Sequence, residues 1–82
     1  MSNIEREKTL ERSLKRCVEK ELKGYCLKLL SVHITGLPDR LCLLPGGKVF
    51  FAELKTTKQK PRKIQLVIHR KLRELGFRVE II

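Results

Sequence analysis

Pro45-Gly46-Gly47 separates two β-favouring runs, Arg40-Leu41-Cys42-Leu43-Leu44 and Lys48-Val49-Phe50-Phe51-Ala52-Glu53-Leu54. A proline and two glycines in that position predict a hairpin, and the length of its loop decides which side chains share a face. A two-residue turn at Gly46-Gly47 sets Asp39 opposite Leu54 and points it away from Glu53. A three-residue loop pairs Leu44 with Lys48 and sets Asp39 opposite Glu53. The same loop gathers Leu41, Leu43, Val49 and Phe51 on the face of that acid pair, where they are expected to be buried under a helix. Core packing and a carboxylate pair thus select one register.

The rest of the chain supplies elements to cover this hairpin. From Ile4 to Lys23 an apolar stripe at Leu10, Leu14, Cys17, Val18 and Leu22 has helical spacing, and Gly24 is expected to end the helix. Tyr25 to Val32 reads as a strand continuing towards His33 and Ile34, broken by Gly36 and Pro38. Lys55 to Lys60 reads as a basic loop, and Pro61 as the first residue of a second helix that ends near Leu75 and is capped by Gly76. Phe77, Val79 and Ile81 alternate with Arg78 and Glu80 as a half-buried strand. The order helix, three strands, helix, strand predicts an α/β (mixed α+β) fold in which the last strand joins the sheet by a crossover, parallel to its neighbour. With no repeat, linker or low-complexity tract, residues 1–82 read as a single domain.

Glu53 and Lys55 lie two apart on a strand and therefore leave the same face. Beside Asp39 they form a chemical set. Two carboxylates suit Mg²⁺ or Mn²⁺, and an adjacent ammonium stabilises charge that develops when water attacks a phosphodiester. Glu-x-Lys alone fits an ordinary cross-face salt bridge, and Pro-Asp alone an ordinary turn. Their combination, with Gln65 on the following helix and glutamates on the preceding one, resembles the PD-(D/E)XK nuclease superfamily. Gly36-Leu37-Pro38-Asp39-Arg40, Phe51-Ala52-Glu53-Leu54-Lys55, Gln65 and Gly76-Phe77-Arg78-Val79 closely resemble, within it, the virus-type replication-repair nuclease domain, VRR-NUC. The resemblance runs from about Glu7 to Ile81.

It implies a restriction-endonuclease-like αβββαβ core, a four-stranded mixed sheet flanked by two helices. It also implies Asp39, Glu53, Lys55 and Gln65 as catalytic residues, with Asp39, Glu53 and the backbone carbonyl of Leu54 as oxygen ligands for Mg²⁺ or Mn²⁺. Lys55 would orient or deprotonate the attacking water, or hold the scissile phosphate. The resemblance calls for a further acid on the first helix, for which Glu11 is the first choice and Glu7 the alternative. Gln65 would place the phosphate or Lys55. His69, one turn later on the same helix face, is assigned no catalytic role.

Nineteen Lys and Arg against nine Asp and Glu give a formal charge of +10, which points to a polyanionic partner. Thr56, Thr57, Lys58, Lys60, Arg62 and Lys63 form a basic rim after the catalytic strand, and with Arg40 and His33 they are the candidate DNA contacts. With only Tyr25, Phe50, Phe51 and Phe77 as aromatics, a base-stacking platform is not expected. Basic residues spread over both helices argue against membrane attachment. The N-terminus lacks the apolar region of a signal peptide, and an odd set of Cys17, Cys26 and Cys42 without a C-x-x-C pair reads as reduced core thiols. The expected location is cytoplasmic, as for a phage or bacterial protein acting in its host. A core this small invites a partner subunit, and the resemblance implies a homodimer acting on Holliday-type four-way junctions. A flap, nick or RNA nuclease of the same superfamily, and a non-catalytic basic nucleic-acid-binding module, are the competing readings.

Overall fold

Leu10 and Leu14 of the first element, helix α1 (Asn3–Arg16), and Val18 of the π-helical turn at Cys17–Glu21 into which it runs recur at four-residue intervals. The computed structural model describes residues 3–30, 34–54 and 62–82, with side chains from residue 8 onward. After α1 come β1 (Tyr25–Lys28), β2 (Arg40–Leu44), β3 (Lys48–Glu53), α2 (Lys63–Glu74) and β4 (Arg78–Ile81). The strands form one sheet in the order β1-β2-β3-β4, antiparallel at the first two contacts and parallel between β3 and β4. This is the mixed, two-helix architecture expected from the sequence.

The hairpin loop is the three-residue one. Pro45–Gly47 forms a 3₁₀ turn with Gly46 and Gly47 at φ 80° and 74°, closed by Leu44 opposite Lys48. Arg40 therefore faces Ala52 and Leu41 faces Phe51, which sets Asp39 beside Glu53 just beyond the ladder.

The main buried cluster lies on the opposite sheet face from the one expected, with Val79 alone of the buried apolar residues on the Phe51 face among the described residues. Leu41, Leu43, Val49 and Phe51 are only half-buried, whereas Cys42, Ala52 and Leu54 are buried against Leu14 and Val18 of α1 and its π turn. The reason is size: Cys42 and Ala52 are small, so the helix approaches closely on their side, and complete burial of Val18 there contributes about 2 kcal/mol. Helix α2 covers the other face chiefly near β4, with Gln65 and His69 as its buried residues. Phe51 and Phe77 meet edge to face on that side, with ring centroids 5.7 Å apart.

Three boundaries differ from expectation. The left-handed residue ending the first helical stretch is Lys23, at φ 59°, while Gly24 packs against the carbonyl of Leu43. Strand β1 stops at Lys28, short of the expected Val32, and residues 31–33 lie outside the described residues. Helix α2 begins at Lys63 with Arg62 as N-cap, and Pro61 also lies outside the described residues. Its other end is as expected: Gly76 N–H bonds Arg73 O at 2.9 Å and Phe77 N–H bonds Leu72 O at 3.0 Å, a Schellman closure.

Candidate active site

Asp39 enters the site from the loop before β2. Leu29 N–H donates to its carbonyl at 2.7 Å, extending the β1–β2 pairing by one bond, and the preceding Pro38 is fully buried. Gly36 lies against the first turn of α2, where a Cβ would come within 2.8 Å of Ile64 O and 3.2 Å of Gln65 N. Absence of a side chain at Gly36 thus lets the loop and the helix N-terminus touch. The contact brings Gln65 over the end of β3.

Glu53 ends β3 with 1% of its surface exposed. A carboxylate buried this deeply costs several kcal/mol unless donors replace its water. Two such donors come from the described residues Gln65 and Asp39. Gln65 Nε2 donates to Glu53 Oε1 at 2.7 Å, and the backbone N–H of Asp39 donates to Glu53 Oε2 at 3.1 Å. Gln65 is oriented in turn, because its Oε1 accepts from Arg62 N–H at 2.8 Å, so its amide group faces the carboxylate. Ile82 N–H binds the Glu53 carbonyl at 2.9 Å and fixes the strand end from the β4 side.

The second carboxylate is held reciprocally. Leu54 N–H donates to Asp39 Oδ2 at 3.1 Å, so each acid accepts a backbone donor from beside the other. Sequence does not reveal these two amides, because a backbone donor carries no residue signature.

The remaining candidates divide. Glu11 is not brought to the pair: its Oε1 forms an ion pair with Arg40 Nη2 at 3.1 Å, on the α1 side of the sheet. Arg40 is buried at 6% exposure rather than presented to solvent, with Nη1 also donating to Asp39 O at 3.1 Å. Among the described residues, no group of three or more His, Cys, Asp or Glu is placed to share a metal ion. Arg62 and Lys63 are exposed at the start of α2, and His69 is fully buried one turn after Gln65. Lys55, Thr56, Thr57, Lys58, Lys60 and His33 lie outside the described residues, as does the side chain of Glu7.

All three cysteines are free thiols. Cys42 Sγ donates to Cys26 Sγ at 4.0 Å, and burial pushes both thiols up, that of Cys42 to about 12, so both stay protonated at neutral pH. They pack; they are not nucleophiles. No helix among the described residues is long and apolar enough to cross a membrane.

A solved VRR-NUC domain has the same arrangement of elements, with a TM-score of 0.83 and 33% identity over 92% of this chain and 81% of that one. The phage protein named "Putative nuclease p44", from Acyrthosiphon pisum secondary endosymbiont phage 1, is 39% identical over 77 residues, 94% of this chain and 82% of the relative. The chain belongs to the VRR-NUC family. Its activity is that of a nuclease, and its substrate a nucleic acid. No protein-family model matches the chain. In this VRR-NUC chain the acid pair sits where β2 begins and β3 ends, fixed by the hairpin register and by the packing of Gly36 on α2.

Proposed function

We propose that this VRR-NUC protein is a metal-dependent endonuclease that hydrolyses DNA phosphodiester bonds, with branched DNA such as four-way junctions as its substrate. The observation that carries the reading is the Asp39–Glu53 pair, locked by Gln65 and two backbone amides at the end of a sheet in a chain of charge +10. The donor set fits a hard cation: Asp39, Glu53 and the carbonyl of Leu54 offer oxygen only, which suits Mg²⁺ or Mn²⁺. When bound, the ion would polarise the phosphate and lower the pKa of an attacking water.

The chain's own residues prepare that site. Hydrogen bonds to both carboxylates hold them before an ion arrives, so little reorganisation remains for the reaction. Lys55, two residues beyond Glu53, would hold the scissile phosphate or take the proton of the water. Arg62, Lys63 and the basic residues 55–60 would hold flanking phosphates, giving affinity that falls with salt and depends little on sequence. Arg40 is left out of this set because it is buried. Glu7, one helical turn before Glu11, is the remaining candidate for the acid of the first helix.

Gln65→Met tests the lock. Removing its amide leaves Glu53 Oε1 and Arg62 N–H without these partners, at a cost of about 1–3 kcal/mol in stability. Cleavage is expected to fall about 10–100-fold, as for other groups that orient a ligand. Wild-type single-turnover rates in Gln65→Met would remove Gln65 from the site.

A two-fold homodimer, with each subunit cutting one of two symmetry-related strands, matches the symmetry of a junction. The half-covered sheet face supports this assembly: Tyr25, at 68% exposure, and Leu27, at 42%, lie beside the half-buried Leu41, Leu43 and Val49. Among the described residues, the strand positions of that patch carry no charged side chain. The phage origin of one relative supports a site of action in the cytoplasm of a bacterial host.

One assay separates the readings. Labelled linear, flap, fork and four-way DNA, and a matched RNA duplex, are incubated with Mg²⁺, Mn²⁺ or EDTA. Paired cuts in the junction with either ion and none in EDTA are expected. Equal cutting in EDTA would refute metal dependence, and preference for flaps or RNA would replace the junction. Sedimentation at micromolar protein should show a dimer; a monomer both free and on junction DNA would overturn the assembly.

A further inference from the structure

Arg40 is the one Lys or Arg buried among the described residues, in a chain whose other cations can remain in water. Its guanidinium spans two acceptors. Nη2 meets Glu11 Oε1 at 3.1 Å, and Nη1 meets the carbonyl of Asp39 at 3.1 Å. Strand register places Arg40 opposite Ala52, whose small side chain leaves the face under α1 open to it. The bridge therefore joins α1 to the peptide that carries a proposed metal ligand.

Asp39 is fixed at every polar group of its backbone: its N–H by Glu53, its carbonyl by Leu29 and Arg40. Of these, the Arg40 bond alone comes from the α1 side. Glu11, with 44% of its side chain exposed, supplies the counter-charge that lets the guanidinium be buried in this orientation. Planarity of the guanidinium matters, since two of its N–H groups must point at two different acceptors, which a lysine ammonium on a single stem does poorly.

We propose that Glu11 and Arg40 are a positioning pair: Glu11 acts on the reaction through Arg40, which aims Asp39, and not as a ligand of the metal. The proposal rests on the reading of Asp39 and Glu53 as the cation site. It assigns Glu11 a role different from that of an active-site acid, and it makes the residue after Asp39 part of the machinery through its bond to the Asp39 carbonyl.

A double-mutant cycle decides it, using Glu11→Ala, Arg40→Met and the double variant, each checked for folding by circular dichroism. Two quantities are read: Mn²⁺ affinity by calorimetry, and the single-turnover cleavage rate on a four-way DNA junction at saturating Mn²⁺. Each single variant should lose about tenfold in rate. In the Arg40→Met background, Glu11→Ala should change neither rate nor Mn²⁺ affinity by more than about twofold, because the route through which it acts is gone. Glu11→Gln, whose amide oxygen still accepts from Arg40, should keep Mn²⁺ affinity within about threefold of wild type, whereas Asp39→Asn should not. Arg40→Lys provides a second background should Arg40→Met fail to fold.

A further drop of about tenfold in Mn²⁺ affinity on adding Glu11→Ala to either Arg40 variant would make Glu11 a direct ligand and overturn the proposal. Wild-type protein that binds no Mn²⁺ would remove the cation site itself, a distinct result that takes this assignment down with it.

Discussion

Cleavage by Glu53→Gln is expected to fall by about 10³-fold or more while the protein stays folded and bound to DNA. Glu53 Oε1 accepts from Gln65 Nε2 and Oε2 from Asp39 N–H. A glutamine has one acceptor oxygen and must turn its amide against one of these donors, so the local lock is disturbed as well as the charge lost. Asp39→Ala should have a comparable effect, with Leu54 N–H losing its partner. Lys55→Ala is the informative contrast. It should spare Mn²⁺ binding and still lose turnover, because its charge would act on the reacting phosphate and not on the ion. Calorimetry with Mn²⁺ and single-turnover assays on all three variants give the comparison, and DNA affinity measured in EDTA should remain near wild type in Glu53→Gln and Asp39→Ala and fall only slightly in Lys55→Ala, which removes one of several phosphate contacts. Wild-type cutting by Asp39→Ala would end the site assignment.

The register was legible because strand alternation allows only two answers, and a Pro-Gly-Gly loop with Leu44 opposite Lys48 makes the useful one. The sheet order and the Gly76 cap were legible for the same kind of reason, since each rests on local chemistry. The buried face was not. Sequence shows Leu41, Leu43, Val49 and Phe51 as the larger apolar set, yet the closer helix packs where Cys42 and Ala52 make room. Apolar bulk marks a face that prefers burial; it does not say which face a helix can approach. Leu29 and Leu30 likewise extend an apolar run without extending β1, which stops at Lys28. In the site, Gln65 stood out by its place early in a helix after Glu53. Sequence alone assigns Arg40 and Glu11 separately, one to DNA and one to a metal. Only tertiary placement brings them together, because α1 and β2 meet across the core and no local spacing records that contact.

Gly24→Ala should produce the largest loss of stability from a single methyl group. A Cβ at Gly24 would lie 1.9 Å from the carbonyl oxygen of Leu43 and 3.0 Å from its carbon, both backbone atoms of β2. No rotamer change relieves such a contact. Leu43 is paired with Tyr25 on one side and Val49 on the other, so moving its peptide strains the centre of the sheet. Gly24 N–H also holds Val18 O at 2.8 Å, so moving Gly24 instead pulls the end of the first helical stretch off the core. The expected cost is about 3 kcal/mol or more, against a total of about 4–12 kcal/mol for a domain of this size. In a thermal melt followed by circular dichroism that is a fall of at least about 12 °C. Gly46→Ala is the control: with φ 80° but nothing within 4 Å of its added Cβ, it should cost only about 1 kcal/mol of backbone strain. The two variants therefore separate lack of space from backbone conformation. Gly24→Ala melting within a few degrees of Gly46→Ala would mean that the helix and β2 do not approach as closely as described. Because the same sheet spacing sets Asp39 beside Glu53, cleavage by the folded fraction of Gly24→Ala should fall with stability, whereas Gly46→Ala, at the far end of the hairpin, should cut at close to the wild-type rate.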